Sequence, residues 1–256
     1  MIGRREIAKI LSGYEKDSIT VGTLGSHSAL NIFKGAKDEG LSTLCICRRT
    51  DEIVYKKFPL ADHIVLVDSF TELASPSVLK RLRELNVILV PHGSLNAYMS
   101  MEDILNRLDL PMFGNRMLLS WEVDRERQRR WLLDAGLLLP KEFSEPSEID
   151  RLVIAKFPGA RGGKGYFLAD SPQSFEKKAR KMAKKGLLTK QDVERIYLQE
   201  YVLGVNAYFH YFRSILHDDV ELLGMDKRYE SAVDSLGRIP AQEQLELDLN
   251  PTYTVV

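Results

Sequence analysis

The feature that most limits what this chain can become is the regular exchange of β-branched runs with helical periods over its first 115 residues. "SITVGTL" is a β-branched run, and "SALNIFKGAKDEG" then spaces its apolar residues at helical intervals before a glycine stop. "LSTLCIC" reads as a second strand, and "HIVLVD", "PSVLKRLREL" and "NVILVP" continue the exchange. This order predicts parallel strands joined by crossover helices. In such sheets ligands bind beyond the carboxyl ends of the strands, where helix N-termini present unpaired N–H groups.

Two of those strand ends carry similar small polar clusters, "LGSHS" and "PHGS". Ser26, His27 and Ser28 at one turn, with His92, Gly93 and Ser94 at the other, are candidates to converge on one anion such as a phosphomonoester. The plain alternative makes the serines helix caps and the histidines packed or exposed side chains. Neither glycine cluster fits G-x-G-x-x-G, so a dinucleotide is not expected.

A local anion site matters because bulk charge offers none. Lys plus Arg equals Asp plus Glu at 36 each, which leaves no electrostatic footprint for nucleic acid or for an anionic membrane. The 256 residues, 44% of them hydrophobic, suffice for two or three packed units. The start "MIGRREIAKILSGYEK" has charges at both ends and reads as a short amphipathic helix, not a signal peptide. No run approaches the roughly 18 apolar residues of a membrane span. Cys45 and Cys47 sit two apart on one face of a strand, where a disulfide would be strained and a metal site incomplete. Two reduced core thiols in a cytoplasmic protein are the expectation.

From about Pro111 the pattern changes. "FGNRMLLSWEVDRERQRRWLLDAGLLLP" predicts a turn and then one long charged helix, with Trp121, Trp131, Leu132 and Leu133 facing a core and an end at Ala135-Gly136. Its charges read as a solvated face, with Arg130 within reach of an anion. "RLVIAKF" is then a strand in which Lys156 is a cation set among apolar residues. The following "PGARGGKGYF" is no Walker loop: Lys164 follows Gly159 one residue too early, and Gly165 stands where a Ser or Thr would hold magnesium. Strand, glycine loop and strand instead predict a flap able to close over a triphosphate. Gly159, Gly162, Gly163 and Gly165 let backbone N–H groups approach, and Arg161 and Lys164 offset charge.

The lysines of "SFEKKARKMAKKGLLTKQDVERI" read as a solvated helix face. "IYLQEYVLG" is another strand, and its Gln199, Glu200, Tyr201 and Val202 form a segment able to hydrogen-bond an adenine edge through the backbone and pack on its ring. The aromatic strand "VNAYFHYF" and the segment "VELLGMDKRYES" follow.

A lysine-bearing strand, a glycine-rich flap and a strand leading to an E-x-V hinge resemble the ATP-grasp fold, in which ATP lies between two α+β subdomains. Together "TLGSHSALNIFKGAK", "VPHGS", "PMFGNR", "KFPGARGGKGYF" and "LLGMDKRYES" resemble the archaeal type of 5-formaminoimidazole-4-carboxamide ribonucleotide (FAICAR) synthetase, over essentially the whole chain. The resemblance implies a fold of mixed α/β and α+β class: a Rossmann-like parallel-sheet domain over 1–115, a linker helix and ATP-grasp small subdomain over 116–200, and the start of a larger subdomain over 201–256. It implies a ligase of purine biosynthesis that formylates aminoimidazole carboxamide ribonucleotide (AICAR) with ATP and formate. His27 and Ser94 carry over as AICAR contacts. Lys156, the 159–165 flap, Gln199 to Val202 and Glu230 carry over as ATP contacts.

Magnesium or manganese is also implied, with its ligands expected beyond Val256, since family members continue past "NPTYTVV" and Glu243 and Glu246 do not match the metal pair. Arg130 departs from a lysine common in ATP-grasp proteins, keeping the charge with a different geometry. A closed homo-oligomer is the expected assembly. Two alternatives stay open: a nucleotide-binding module without ligase activity, and an ATP-grasp ligase for another amine and another carboxylate.

Overall fold

A computed structural model describes residues 1–161, 164–184, 186, 188–202, 204, 207–214 and 216–227. The chain divides into two compact units, Met1–Leu137 and Leu138–Val256. In the first, helix α1 (Arg4–Leu11) precedes strand β1 (Thr20–Leu24), and α2 (Ala29–Asp38) leads to β2 (Ser42–Arg48). Helix α2 stops where Gly40 takes a φ of +73°, a conformation that favours glycine. Next come α3 (Glu52–Lys57), β3 (His63–Val67), α4 (Pro76–Glu84) and β4 (Val87–Leu89). Helix α4 starts as its sequence dictates: the Ser75 hydroxyl accepts the Val78 N–H, and Pro76 fills the first helical position, where a missing donor costs nothing.

The four strands pair in parallel in the order β3-β2-β1-β4. From β1 the chain crosses to β2 on one side. From β4 it passes through α5 (Gly93–Tyr98) and α6 (Met101–Asn106) to the opposite side, where Leu89 bridges Met112. The connections therefore diverge between β1 and β4, which makes their carboxyl ends the switch point of the sheet.

A parallel sheet must be covered on both faces, and β2 shows how its sequence arranges this. Leu44 and Ile46 enter a core with Leu24, Val67, Leu82 and Leu89. Cys45 and Cys47, alternating with them, enter a second core with Ala29, Phe33 and Tyr55. Both cysteines are free and buried, as expected, and burial pushes the Cys45 thiol up.

The long charged helix is corrected to two: α7 (Arg116–Glu122) and α8 (Arg125–Asp134). The break falls at Asp124, whose carboxylate accepts the N–H groups of Glu126 and Arg127, both at 3.1 Å, and so starts a new helix. Nor do the tryptophans enter a core. Trp121 and Trp131 pack on one another at 6.4 Å with planes at 61°, both indoles remain partly exposed, and Leu133 is exposed with them.

The "PMFGNR" segment has a structural account. Gly114 takes a φ of +85° and Asn115 caps α7. The Arg116 guanidinium then donates to the carbonyls of Ile104 (2.8 Å), Leu108 (2.5 Å) and Leu110 (2.7 Å), satisfying acceptors at and beyond the end of α6. Arg116→Met keeps most of the stem and strands three acceptors. We expect a loss of about 2–3 kcal/mol, measured as a lower urea midpoint at unchanged slope.

In the second unit β5 (Glu142–Phe143), β6 (Val153–Arg161), β7 (Lys164–Ala169) and β8 (Tyr197–Glu200) form an antiparallel sheet in the order β5-β8-β6-β7. Helix α9 (Pro172–Lys184) packs on it through Phe175 and Ala179, against Phe143, Val153, Ala155 and Phe167; α10 (Lys190–Glu194) follows. Strands β9 (Ala207–Ser214) and β10 (Asp219–Lys227) pair as a separate hairpin. No helix among the described residues is long and apolar enough to cross a membrane.

Candidate functional site

At the switch point the two polar turns meet. The regular β1–β4 register ends at Gly22 and Leu89. Beyond it the Thr23 hydroxyl donates to the Val90 carbonyl at 2.8 Å, the His92 ring meets the Leu24 carbonyl at 3.2 Å, and the Ser94 hydroxyl donates to the Ser26 hydroxyl at 2.9 Å. The β1 turn is held from its other side by the Gly25 N–H, which donates to the Ile46 carbonyl at 2.7 Å. His27 is exposed, with Nδ1 3.2 Å from the Ser28 hydroxyl.

A cavity of about 370 Å³ opens here, lined by Gly25, Ser26, His27, Arg48, Asp51 and Tyr55 among others. Arg48 was missed in the sequence reading. It is the last residue of β2, so the rule that pointed to the ends of β1 and β4 points to it as well. Its guanidinium pairs with Asp51 at 2.7 Å and lies over the rings of Phe70 and Tyr98, at 5.3 and 5.7 Å. The crevice thus offers the Ser26 hydroxyl, backed by that of Ser94, with an imidazole and an arginine, a donor set suited to a phosphorylated ligand.

In the second unit the structure brings Lys156 and Gln199 together across the β6–β8 pair, with Nζ donating to the amide oxygen at 3.0 Å. The ammonium is half-buried and lies 5.8 Å from the centre of the Tyr197 ring. Tyr197 is itself held by the Glu142 carboxylate. The register of β6 against β7 shifts between Lys156 and Arg161, and Arg161 then pairs with Lys164. Gly159, Arg161, Lys164 and Gly165 therefore lie on the strands of this hairpin, whereas Gly162, Gly163 and Glu230 lie outside the described residues.

Glu200 turns away from that lysine. Its carboxylate accepts the Lys141 N–H at 3.0 Å and pairs with Arg151 at 3.2 Å, and these two hold it below the usual carboxylate range. Arg151 and Lys141 likewise hold Asp150 down to about 2. Tyr201 and Val202 follow with exposed side chains, and the Tyr201 N–H donates to the Leu152 carbonyl. Arg130 is exposed on α8.

A further depression, about 420 Å³, runs along α9 and is lined by that helix alone, with Lys177, Arg180, Lys181 and Lys184 in it. Solvated lysines of one helix set no geometry for a ligand, in keeping with the sequence reading. Among the described residues no group of three or more His, Cys, Asp or Glu side chains could hold a metal ion. No described residue is therefore assigned to magnesium.

A parallel switch-point crevice in one unit, with a lysine-bearing strand and a glycine hairpin in the other, belongs to the ATP-grasp class of enzymes. Solved structures share the fold: an ADP complex of N5-carboxyaminoimidazole ribonucleotide synthetase superposes with a TM-score of 0.59 at 14% identity, covering 83% of this chain and 55% of that one. An IMP biosynthesis protein PurP from Thermococcus kodakaraensis superposes with a TM-score of 0.58 at 26% identity, covering 92% of this chain and 66% of that one.

Residues 21–143 match a family described as a protein of unknown function (DUF1246), and residues 174–256 match a domain of unknown function (DUF1297). The 5-formaminoimidazole-4-carboxamide-1-(beta)-D-ribofuranosyl 5'-monophosphate synthetase of Archaeoglobus fulgidus is 51% identical over 253 residues, 99% of this chain and 70% of that protein. This chain belongs to that family of FAICAR synthetases.

Proposed function

We propose that this protein is the ligase that formylates AICAR to FAICAR, using ATP and formate and releasing ADP and phosphate. The observation that carries the reading is the direct bond between the two polar turns at the switch point, in a chain half identical to a protein named for that product. The crevice takes the AICAR nucleotide through His27 and Ser94. Lys156, the 159–165 hairpin and the 199–202 hinge take ATP, with Glu230 as a further nucleotide contact.

Formate is a poor electrophile, because its carboxylate is resonance-stabilised and lacks a leaving group. Attack of a formate oxygen on the γ-phosphorus of ATP breaks the bond to the β-phosphate oxygen and gives formyl phosphate and ADP. The 5-amino group of AICAR then attacks the formyl carbon, phosphate leaves, and the nitrogen gives up a proton. The chain's part in both steps is positioning and charge neutralisation. Lys156 offsets charge on the phosphates, and the crevice fixes the nucleotide so that its amine is presented for attack.

The test is an assay of the purified protein with ATP, AICAR and formate, following ADP release and FAICAR by chromatography and mass spectrometry. We expect FAICAR in a one-to-one ratio with ADP, dependent on formate and on no folate. AICAR binding with no turnover of ATP would instead favour the nucleotide-binding module. Turnover with another carboxylate and none with formate would favour the ligase of different acyl specificity.

A further inference from the structure

We infer that His92 is a positioning residue for the AICAR crevice, acting through Ser94 and Ser26 and not by touching the nucleotide; the inference rests on the crevice reading above. Where the β1–β4 ladder stops, three side-chain rungs continue it toward the cavity: Thr23 to Val90, His92 to Leu24, and Ser94 to Ser26. The first rung is buried next to the sheet and the last contains Ser26, a wall of the cavity. His92 is the middle rung.

Both of its ring nitrogens are engaged. Nδ1 accepts the Ser94 N–H at 3.3 Å, capping α5, and Nε2 lies 3.2 Å from the Leu24 carbonyl. One arrangement satisfies both contacts: a neutral ring with its hydrogen on Nε2, donating to Leu24. A ring so engaged has no donor left for a phosphate. What it does is tie the residue before Gly25 to the residue that carries the Ser94 hydroxyl.

That tie sets the separation of the two serines. Ser94 gives its hydroxyl hydrogen to Ser26, so the hydrogen of Ser26 is the one aimed onward to a ligand. The pair acts as a single relayed donor, and its geometry is only as good as the rung behind it. A shift of a few tenths of an ångström between the turns would lengthen that 2.9 Å bond and blunt the donor.

The test uses His92→Asn and His92→Ala in the purified protein, each alone and combined with Ser94→Ala, with KM for AICAR and for ATP measured in parallel. Asparagine is a good helix cap but too short to span to Leu24, so it separates capping from positioning. If His92 positions the pair, His92→Asn raises the AICAR KM about tenfold, close to His92→Ala, and leaves the ATP KM unchanged. In the Ser94→Ala background it then adds less than about twofold, because the rung has nothing left to position.

An AICAR KM restored by Asn, an equal rise in both KM values, or full additivity with Ser94→Ala would overturn the inference. Failure of the crevice reading has a different signature: Ser94→Ala and Ser26→Ala would themselves leave the AICAR KM at the parent value.

Discussion

Gly25→Ala is expected to abolish AICAR binding in the micromolar to millimolar range while ATP affinity stays at the parent value. A Cβ at this position would lie 2.8 Å from Cys45 Sγ and 2.8 and 3.0 Å from two ring carbons of Tyr55. Neither neighbour can withdraw. Cys45 has no exposed surface in the middle of β2, and Tyr55 is 5% exposed with its ring edge-on to Phe33 at 6.3 Å. The turn must move instead, and the first thing it gives up is the 2.7 Å bond from the Gly25 N–H to the Ile46 carbonyl.

Overpacking of this kind costs roughly 1–3 kcal/mol of stability. The functional cost is larger, because Ser26 and His27 follow directly and would be carried out of line with Ser94. Misplacement of a positioning group by about 1 Å can cost on the order of a hundredfold. Titration calorimetry with AICAR decides the matter. An affinity within twofold of the parent, in a variant that melts as one folded species, would mean that the β1 turn does not form the nucleotide site.

How much of this crevice could be read in the sequence depended on how local its causes are. Strands β1, β2 and β3 and helices α2 and α4 announce themselves because β-branched runs, helical spacing, Gly40 and Ser75-Pro76 all act over a few residues. The two polar turns were legible for the same reason. Their convergence was expected from the strand-and-helix order, but the direct bond between Ser94 and Ser26 was not, since the two are 68 residues apart and meet only through the strand order. The rungs from Thr23 and His92 are hidden in the same way.

The misread helix shows the opposite failure. Between Trp121 and Trp131 the sequence is nearly all charge, so no apolar period marks where a helix should turn its face. Asp124 was a local stop-and-start signal, with a carboxylate oxygen placed for the N–H groups two and three residues on, but it was submerged among other charged residues. The tryptophans were assigned to a core by their chemistry alone. Two large rings can also shield one another, and here they do. Arg116 was legible only as part of a motif, because the three carbonyls it serves come from the end of α6 and the loop after it.

Lys156→Ala is expected to raise the dissociation constant for ATP by about 10- to 100-fold and to lower kcat/KM for ATP by at least as much, with AICAR affinity unchanged. The lysine stands on β6 with its ammonium held by the Gln199 amide oxygen at 3.0 Å and 5.8 Å from the centre of the Tyr197 ring. A half-buried cation of this kind meets a phosphate oxygen with less solvent screening than a surface lysine. A hydrogen bond between charged partners there contributes roughly 1.5–3 kcal/mol, which gives the range stated.

The control is Lys156→Arg. It keeps the charge but carries a planar fork in place of a compact ammonium, so it should recover part of the binding and little of the rate if the point charge must sit at one phosphate oxygen. Gln199→Ala, which removes the amide oxygen that orients the ammonium, should fall between the parent and Lys156→Ala. An ATP affinity that Lys156→Ala leaves unchanged would remove this strand from the nucleotide site. The glycine hairpin that follows it would then be a turn whose cations serve only solubility.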